Sequence, residues 1–212
     1  MRFWLKRADA VVSVSEAVKK ILSYNGISSK VIHNAFDPEV LKNLSAERLS
    51  IIHHPSSILF AGKPSYGKGY DLFQSLSRNK LFRDFRFVTI GGSNKLPYLE
   101  TLQKIREAVA VVVPSRWPEP FGRVALEALM MGTPVVASKC GGLPEIVENG
   151  KTGIITELTI GDMADALRLI IKQNNKFREE IMTRKKLLIK KFESIPLRSH
   201  INLYSILLAK IG

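Results

Sequence analysis

The sequence has a single cysteine, Cys140, so no disulfide can close within the chain and no second thiol stands at metal-ligand spacing. Cys140 is expected to pack as a small buried hydrophobe. The four histidines, His33, His53, His54 and His200, form no metal signature, and no metal site is expected. No run of about eighteen apolar residues occurs. The N-terminus, Met-Arg-Phe-Trp-Leu-Lys-Arg-Ala-Asp, is too short in its apolar part and too interrupted for a signal peptide or a spanning helix, so a soluble, cytoplasmic protein is expected. Internal repeats and low-complexity segments are also missing. What is present excludes disorder: 212 residues, 45% of them hydrophobic, suffice to bury a core.

Acid is the scarcer charge, with 19 Asp and Glu against 32 Lys and Arg, a formal balance of +13. Such an excess points to anionic partners: phosphorylated ligands, an anionic membrane surface or nucleic acid. Part of it is concentrated between Lys172 and Lys191, where Arg178, Arg184, Lys185, Lys186, Lys190 and Lys191 alternate with Ile181, Leu188 and Phe192 at helical spacing. A solvated outer face is the preferred reading of that basic helix, with peripheral membrane contact second. Nucleic acid ranks last, because no aromatic residues interleave the cations and no recognition motif is present.

Apolar runs alternate with helical patterns along the chain. Ala10 to Ser15 is a short apolar run whose Ser15 should cap a helix over Glu16 to Tyr24, closed by Asn25-Gly26. Lys30 to His33 reads as a second strand, Asn34 to Pro38 as a turn, and residues 39–55 as a linker with some helix. Strands are expected at Ser57 to Gly62, Phe85 to Ile90, Ala108 to Val113, Pro134 to Ser138 and Gly153 to Thr156. Helices are expected at Tyr70 to Leu76, Leu96 to Glu107, Arg123 to Met131 and Leu143 to Glu148, and from Gly161 to the end with an interruption near Ser194-Ile195-Pro196. This alternation predicts an α/β fold, a parallel sheet with helices on both faces.

In an open parallel sheet, ligands bind on the loops that follow the carboxyl ends of the strands. Three such loops stand out: Gly62 to Gly69, Gly91 to Lys95 and Pro114 to Gly122. In the third, Glu119-Pro120-Phe121-Gly122 runs into a helix whose first N–H groups have no intrahelical partner and attract anions. The helix itself is apolar nearly all round, with Glu127 as its one acid. A buried carboxylate needs hydrogen bonds, and two sources are equally open: the hydroxyls of a bound sugar, or a neighbouring lysine or backbone donor.

Glu119-Pro120-Phe121-Gly122-Arg123-Val124-Ala125-Leu126-Glu127-Ala128 resembles the E-x7-E motif of family-four retaining glycosyltransferases, which transfer sugars from nucleotide-sugar donors within a GT-B fold. Pro114-Ser115, Gly132 to Ser138, Gly141 to Val147 and Gly150 to Gly153 follow the same family's order and spacing. Gly62-Lys63-Pro64-Ser65-Tyr66-Gly67-Lys68-Gly69 is similar to its Gly-Arg-x-x-x-Glu-Lys-Gly loop, with Lys63 at the arginine position and Gly67 at the glutamate position. A lysine still neutralises a phosphate, but without the two-pronged geometry of arginine.

The resemblance implies a Rossmann-like, C-terminal half of GT-B. It implies residues 1–37 as the end of the N-terminal domain and the crossover, 38–56 as linker, 57–160 as the donor-binding domain and 161–212 as C-terminal helices. Glu119 would be the catalytic-site acid on the donor sugar and Glu127 would take the ribose hydroxyls. Lys63 and Lys68 would hold the diphosphate with backbone N–H groups of Phe121, Gly122 and Arg123, while Gly62 and Gly92 line the site. The Arg123 side chain is expected to point to solvent. The donor would be a nucleotide-sugar such as a UDP- or GDP-sugar, with no cofactor and no metal, in keeping with the lack of an Asp-x-Asp pair.

Two departures from the family accompany these expectations. The acceptor-binding half is represented only by its last strand and helix, and only some eighteen residues separate Gly92 from Val111, where the family fits an extra strand and helix. Two functions therefore stay open: a transferase working with a separately encoded acceptor domain, or a non-catalytic nucleotide-sugar-binding module or remnant of a split gene.

Overall fold

The computed structural model describes residues 2–5, 7–34 and 57–192. The expected crossover turn beyond Asn34, the linker, and the interruption at Ser194 to Pro196 lie outside the described residues. The first unit comprises a short helix α1 (Arg2–Leu5), strand β1 (Val12–Ser13), helix α2 (Glu16–Tyr24) and strand β2 (Lys30–Val31). Strands β1 and β2 pair in parallel, Val12 opposite Lys30. Helix α2 begins where the Ser15 hydroxyl accepts the Val18 N–H at 3.1 Å and ends at Asn25, as its sequence predicts.

The second unit is a five-stranded parallel sheet in the order β4-β3-β5-β6-β7. Its strands are β3 (Ser57–Ala61), β4 (Arg86–Ile90), β5 (Ala110–Val113), β6 (Val135–Ser138) and β7 (Gly153–Thr156). The intervening helices are α3 (Tyr70–Ser77), α4 (Tyr98–Glu107), α5 (Arg123–Met130) and α6 (Leu143–Ile146), and α7 (Ile160–Lys172) and α8 (Asn174–Phe192) follow the last strand. One helix, α4, is all that joins β4 to β5, so β4 stands at the edge of the sheet beside β3.

Strand residues alternate between two cores, as the period of two requires. Leu59 and Val111 face a layer that contains Leu102 and Ile105 of α4, Leu126 and Leu129 of α5, and Ile181 and Phe192 of α8. Ile58, Phe60 and Val112 face the other, with Leu72, Phe73 and Leu76 of α3 and Met163, Leu167 and Ile170 of α7. A sheet buried on both sides explains why the strands read as unbroken apolar runs.

Several boundaries depart from the sequence pattern. β5 starts at Ala110, because Ala108 still donates its N–H to the Ile105 carbonyl at the end of α4. The expected continuous C-terminal helix breaks at Gln173, which closes α7. Among the described residues no helix is long and apolar enough to cross a membrane.

The basic face of α8 is also less open than expected. The Arg178 guanidinium donates to the carbonyls of Ala108 (2.5 Å) and Gly132 (3.1 Å), and burial pushes its pKa down. Arg184 pairs with Glu148 and Glu180, and Lys191 donates to the Glu145 carbonyl. A continuous free cationic strip is therefore not formed.

Candidate functional site

The site lies where the carboxyl ends of β3, β4 and β5 release their loops. Gly62 and the turn at Gly91 are in direct contact: a side chain at Gly91 would stand 2.1 Å from the Gly62 carbonyl, and one at Gly92 would stand 3.0 Å from Pro64. Gly69, with φ +68, lets the first loop pass beneath Pro114, whose carbonyl leaves 1.8 Å for a Cβ. The loops are then laced together by the Arg116 and Trp117 N–H groups, both 2.9 Å from the Gly67 carbonyl.

Lys68, at the end of a 3-10 turn (Tyr66–Lys68), reaches Glu119 Oε1 at 2.5 Å, and the buried Ser115 hydroxyl stands 3.1 Å from that same oxygen. The backbone of Glu119 is fixed from behind: its carbonyl accepts the Gly142 N–H at 2.7 Å, and Gly141 packs so close that a Cβ would stand 2.3 Å from that carbonyl. Helix α5 starts at Gly122, whose φ of +94 and missing side chain leave the helix without a side-chain cap. Its first N–H groups therefore open on the cavity that Gly122, Arg123 and Val124 line, at the positive end of the helix dipole. That cavity, about 130 Å³, is also lined by Gly62, Lys68, Ser115 and Glu119.

Glu127 is 6% exposed, one turn into α5. Its carboxylate accepts from Arg123 Nε at 2.9 Å and from the Tyr98 hydroxyl at 3.1 Å, both on Oε1. The donors are thus a guanidinium and a phenol, neither the lysine nor the backbone group that the sequence suggested. Arg123, although its side chain is 73% exposed, is not simply a solvent residue: it clamps Glu127 and lies over the Tyr98 ring, 5.6 Å from its centre. The Tyr98 hydroxyl, and then Glu127, hold its guanidinium above its usual pKa. Burial first, then the charge of Glu127, pushes the Tyr98 phenol up.

Of the residues singled out from sequence, Gly62, Lys68, Glu119, Gly122 and Arg123 share one cavity. Glu127 joins it through Arg123. Gly92 borders the Gly62 loop, while Lys63 beside Gly62 is exposed and does not line the cavity. Phe121 is buried, its ring 6.0 Å from that of His33 and 5.6 Å from that of Phe192. Cys140 is half-buried, its thiol raised by burial and 3.6 Å from the Arg116 carbonyl. Among the described residues no cluster of three or more His, Cys, Asp or Glu could hold a metal.

Sequence reasoning named Ser115 only as a family position and gave no role to Tyr98 or Glu145. The Glu145 carboxylate accepts the N–H groups of Glu16 (3.0 Å) and Ala17 (2.8 Å), fastening the first turn of α2 to α6. Neither role could be read from spacing, since the partners of both residues lie far away in the chain. A wider hollow of about 770 Å³ between β7 and α7 is lined by Lys139, Glu148, Asn149, Thr156, Glu157 and Asp162, but by none of the site residues singled out from sequence.

Comparison with known proteins shows what the chain resembles. Residues 96–188 match the family described as glycosyl transferases group 1. An uncharacterized glycosyltransferase of Methanocaldococcus jannaschii is 32% identical over 179 residues, a match covering 68% of this chain and 46% of that protein. The chain thus spans about half the length of that relative. Among solved structures, sucrose-phosphate synthase from Thermosynechococcus elongatus superposes with a TM-score of 0.79 at 21% identity, covering 99% of this chain and 61% of that one. Anabaena HepE in complex with UDP gives a TM-score of 0.73 at 22% identity, covering 93% and 64%.

Proposed function

This chain belongs to the glycosyl transferases group 1 family, and from that premise we propose that it binds a nucleoside-diphosphate sugar and, with an acceptor-binding half, transfers the sugar with retention. One observation carries the reading: Lys68, Glu119 and the uncapped start of α5 converge on one cavity. A cation and a helix N-terminus together favour a pyrophosphate, and both strengthen their hold as charge develops on the leaving group. Lys63, exposed beside Gly62, swings onto the same diphosphate from the rim. A metal ion is then not required.

Glu119 takes the hydroxyls of the donor sugar beside the diphosphate. Glu127, whose two protein donors both sit on Oε1, takes the ribose hydroxyls through Oε2. The structurally similar HepE was solved in complex with UDP, which supports a nucleotide ligand. At about 130 Å³ the cavity is smaller than the roughly 300–1,000 Å³ of a complete ligand pocket. That fits a half-site whose opposite wall comes from an acceptor domain.

Calorimetry with UDP- and GDP-sugars tests the premise, and saturable heat with at least one of them is expected. Absence of heat with all of them would sink it. A second reading is a nucleotide-sugar-binding module without transfer. Sugar transfer on adding a candidate acceptor half separates the two.

A further inference from the structure

Helix α2 buries none of its own residues, and the strands β1 and β2 beside it are two residues long each. Burial of an apolar face therefore does little to fix how this helix sits. Three amides of its first turn have no partner within the helix. That of Val18 goes to the Ser15 hydroxyl, which is local capping. Those of Glu16 and Ala17 go to the two oxygens of Glu145, at 3.0 and 2.8 Å, across 129 and 128 positions of chain. Glu16 is exposed, and water would satisfy its N–H equally well. What the carboxylate adds is orientation, because a two-oxygen grip on two successive amides fixes direction as well as distance.

Glu145 belongs to α6, and this four-residue helix also backs the loop that carries Glu119. The Gly142 N–H donates to the Glu119 carbonyl at 2.7 Å, and a Cβ on Gly142 would stand 3.0 Å from the Pro120 carbonyl. Leu143 and Ile146 close on Gly122, 2.9 and 3.7 Å from where its Cβ would be. The same loop meets the first unit directly as well. His33, just after β2, has its Nδ1 3.0 Å from the Val14 carbonyl and its ring 6.0 Å from that of Phe121. Residues 119–122 are thus tied to the first unit twice, through α6 and Glu145 and through Phe121 and His33.

We propose that Glu145 is a positioning residue for Glu119: by seating the start of α2 on α6, it fixes the backbone from which the acid projects, and the seat of the first unit thereby sets donor-sugar affinity. This rests on the donor reading above, in which Glu119 takes the sugar hydroxyls. Glu145 acts through Gly142 and the Glu119 carbonyl, not by touching the donor. The coupling is reciprocal, so a donor sugar held by Glu119 tightens the grip on α2.

The test uses the whole chain, unmutated and as Glu145→Ala and Glu145→Gln. Residue-resolved amide exchange without ligand reads the backbone. In Glu145→Ala the N–H groups of Glu16 and Ala17 should exchange faster and that of Gly142 roughly tenfold faster, while Val112 in the sheet keeps its rate. Glu145→Gln, whose amide oxygen still accepts one of the two bonds, should fall between. Calorimetry then compares UDP-glucose, UDP-galactose, UDP-N-acetylglucosamine and GDP-mannose with UDP and GDP. The sugar nucleotide that the unmutated chain binds best should lose roughly three- to tenfold in affinity in Glu145→Ala, and its parent nucleotide less than about twofold. An unmoved Gly142 beside faster Glu16 and Ala17 would mean that the clamp serves α2 alone, and a uniform rise that includes Val112 would mean a general loss of stability. Either overturns the proposal, as does a sugar nucleotide affected no more than its parent. A chain that binds none of these ligands even unmutated overturns the donor reading on which the proposal rests, and its own titration tells the two failures apart.

Discussion

Lys68 Nζ and Glu119 Oε1 lie 2.5 Å apart, joining the loop after β3 to the turn before α5. This pair keeps the cation in the cleft, and on the proposed donor reading an incoming diphosphate competes with Glu119 for it. Lys68→Ala should therefore weaken UDP binding by roughly 10- to 100-fold, the worth of a hydrogen bond to a charged group. Lys68→Arg, which keeps the charge, should recover most of the loss. Calorimetric titration with UDP reads both, and an unchanged affinity in Lys68→Ala would remove this lysine from the donor site.

Glu127→Ala should weaken UDP-sugar binding without unfolding the domain, because Arg123 can turn to solvent from its exposed position. Lost stability with intact donor affinity would make Glu127 a structural acid instead.

The Tyr98 hydroxyl adds a pH dependence to the same cluster. Its pKa is raised above the usual 10.0, by burial first and then by the charge of Glu127. The folded value exceeds the unfolded one, so the contribution to stability is complete below about pH 10 and is lost as pH rises through the folded pKa. Urea unfolding across the alkaline range should show a steeper decline for the unmutated chain than for Tyr98→Phe. Parallel declines would mean that the phenol–carboxylate contact is not formed.

Gly141 is the backbone hinge of the site. With φ at +57 and only 2.3 Å available between a Cβ and the Glu119 carbonyl, it cannot accept a side chain without moving Glu119. Gly150 has a similar φ, +77, but open space around it. Gly150→Ala should cost only the strain of the left-handed backbone, about 1–2 kcal/mol. Gly141→Ala should cost more and should also reduce donor affinity. Equal melting temperatures for the two variants would show that the turn yields without disturbing the acid.

Local patterns carried most of the architecture. β5 was legible because a strand buried on both faces must be apolar throughout, and α2 because Ser15 and Asn25-Gly26 supply its ends within the sequence itself. The Glu119 to Glu127 spacing likewise lies within one turn-helix segment. What escaped depends on partners brought in by folding. Tyr98 reads as a first-turn helix residue until α4 packs beside α5, and Tyr66 reads as loop until Arg116 is held over it by Asp71. The helix break at Gln173 was hidden for the same reason: Asn174 turns its side-chain amide onto the Val109 carbonyl, 65 positions away.

The spacing of α8 reads Arg178 as part of a solvated basic face, and its actual position makes a sharp test of that difference. Its guanidinium donates to Asn174 on its own helix and to the carbonyls of Ala108 and Gly132, which end α4 and α5. Arg178→Ala would strand both carbonyls away from water, at a cost of about 2–4 kcal/mol, or a fall in melting temperature of roughly 5–15 °C. Arg168, 65% exposed and, among the described residues, paired with Asp165 three residues before it, offers the contrast: its alanine variant should stay within about 0.5 kcal/mol of the unmutated chain. Two equal and small shifts would return Arg178 to the surface, and the basic helix to the open face its spacing first suggested.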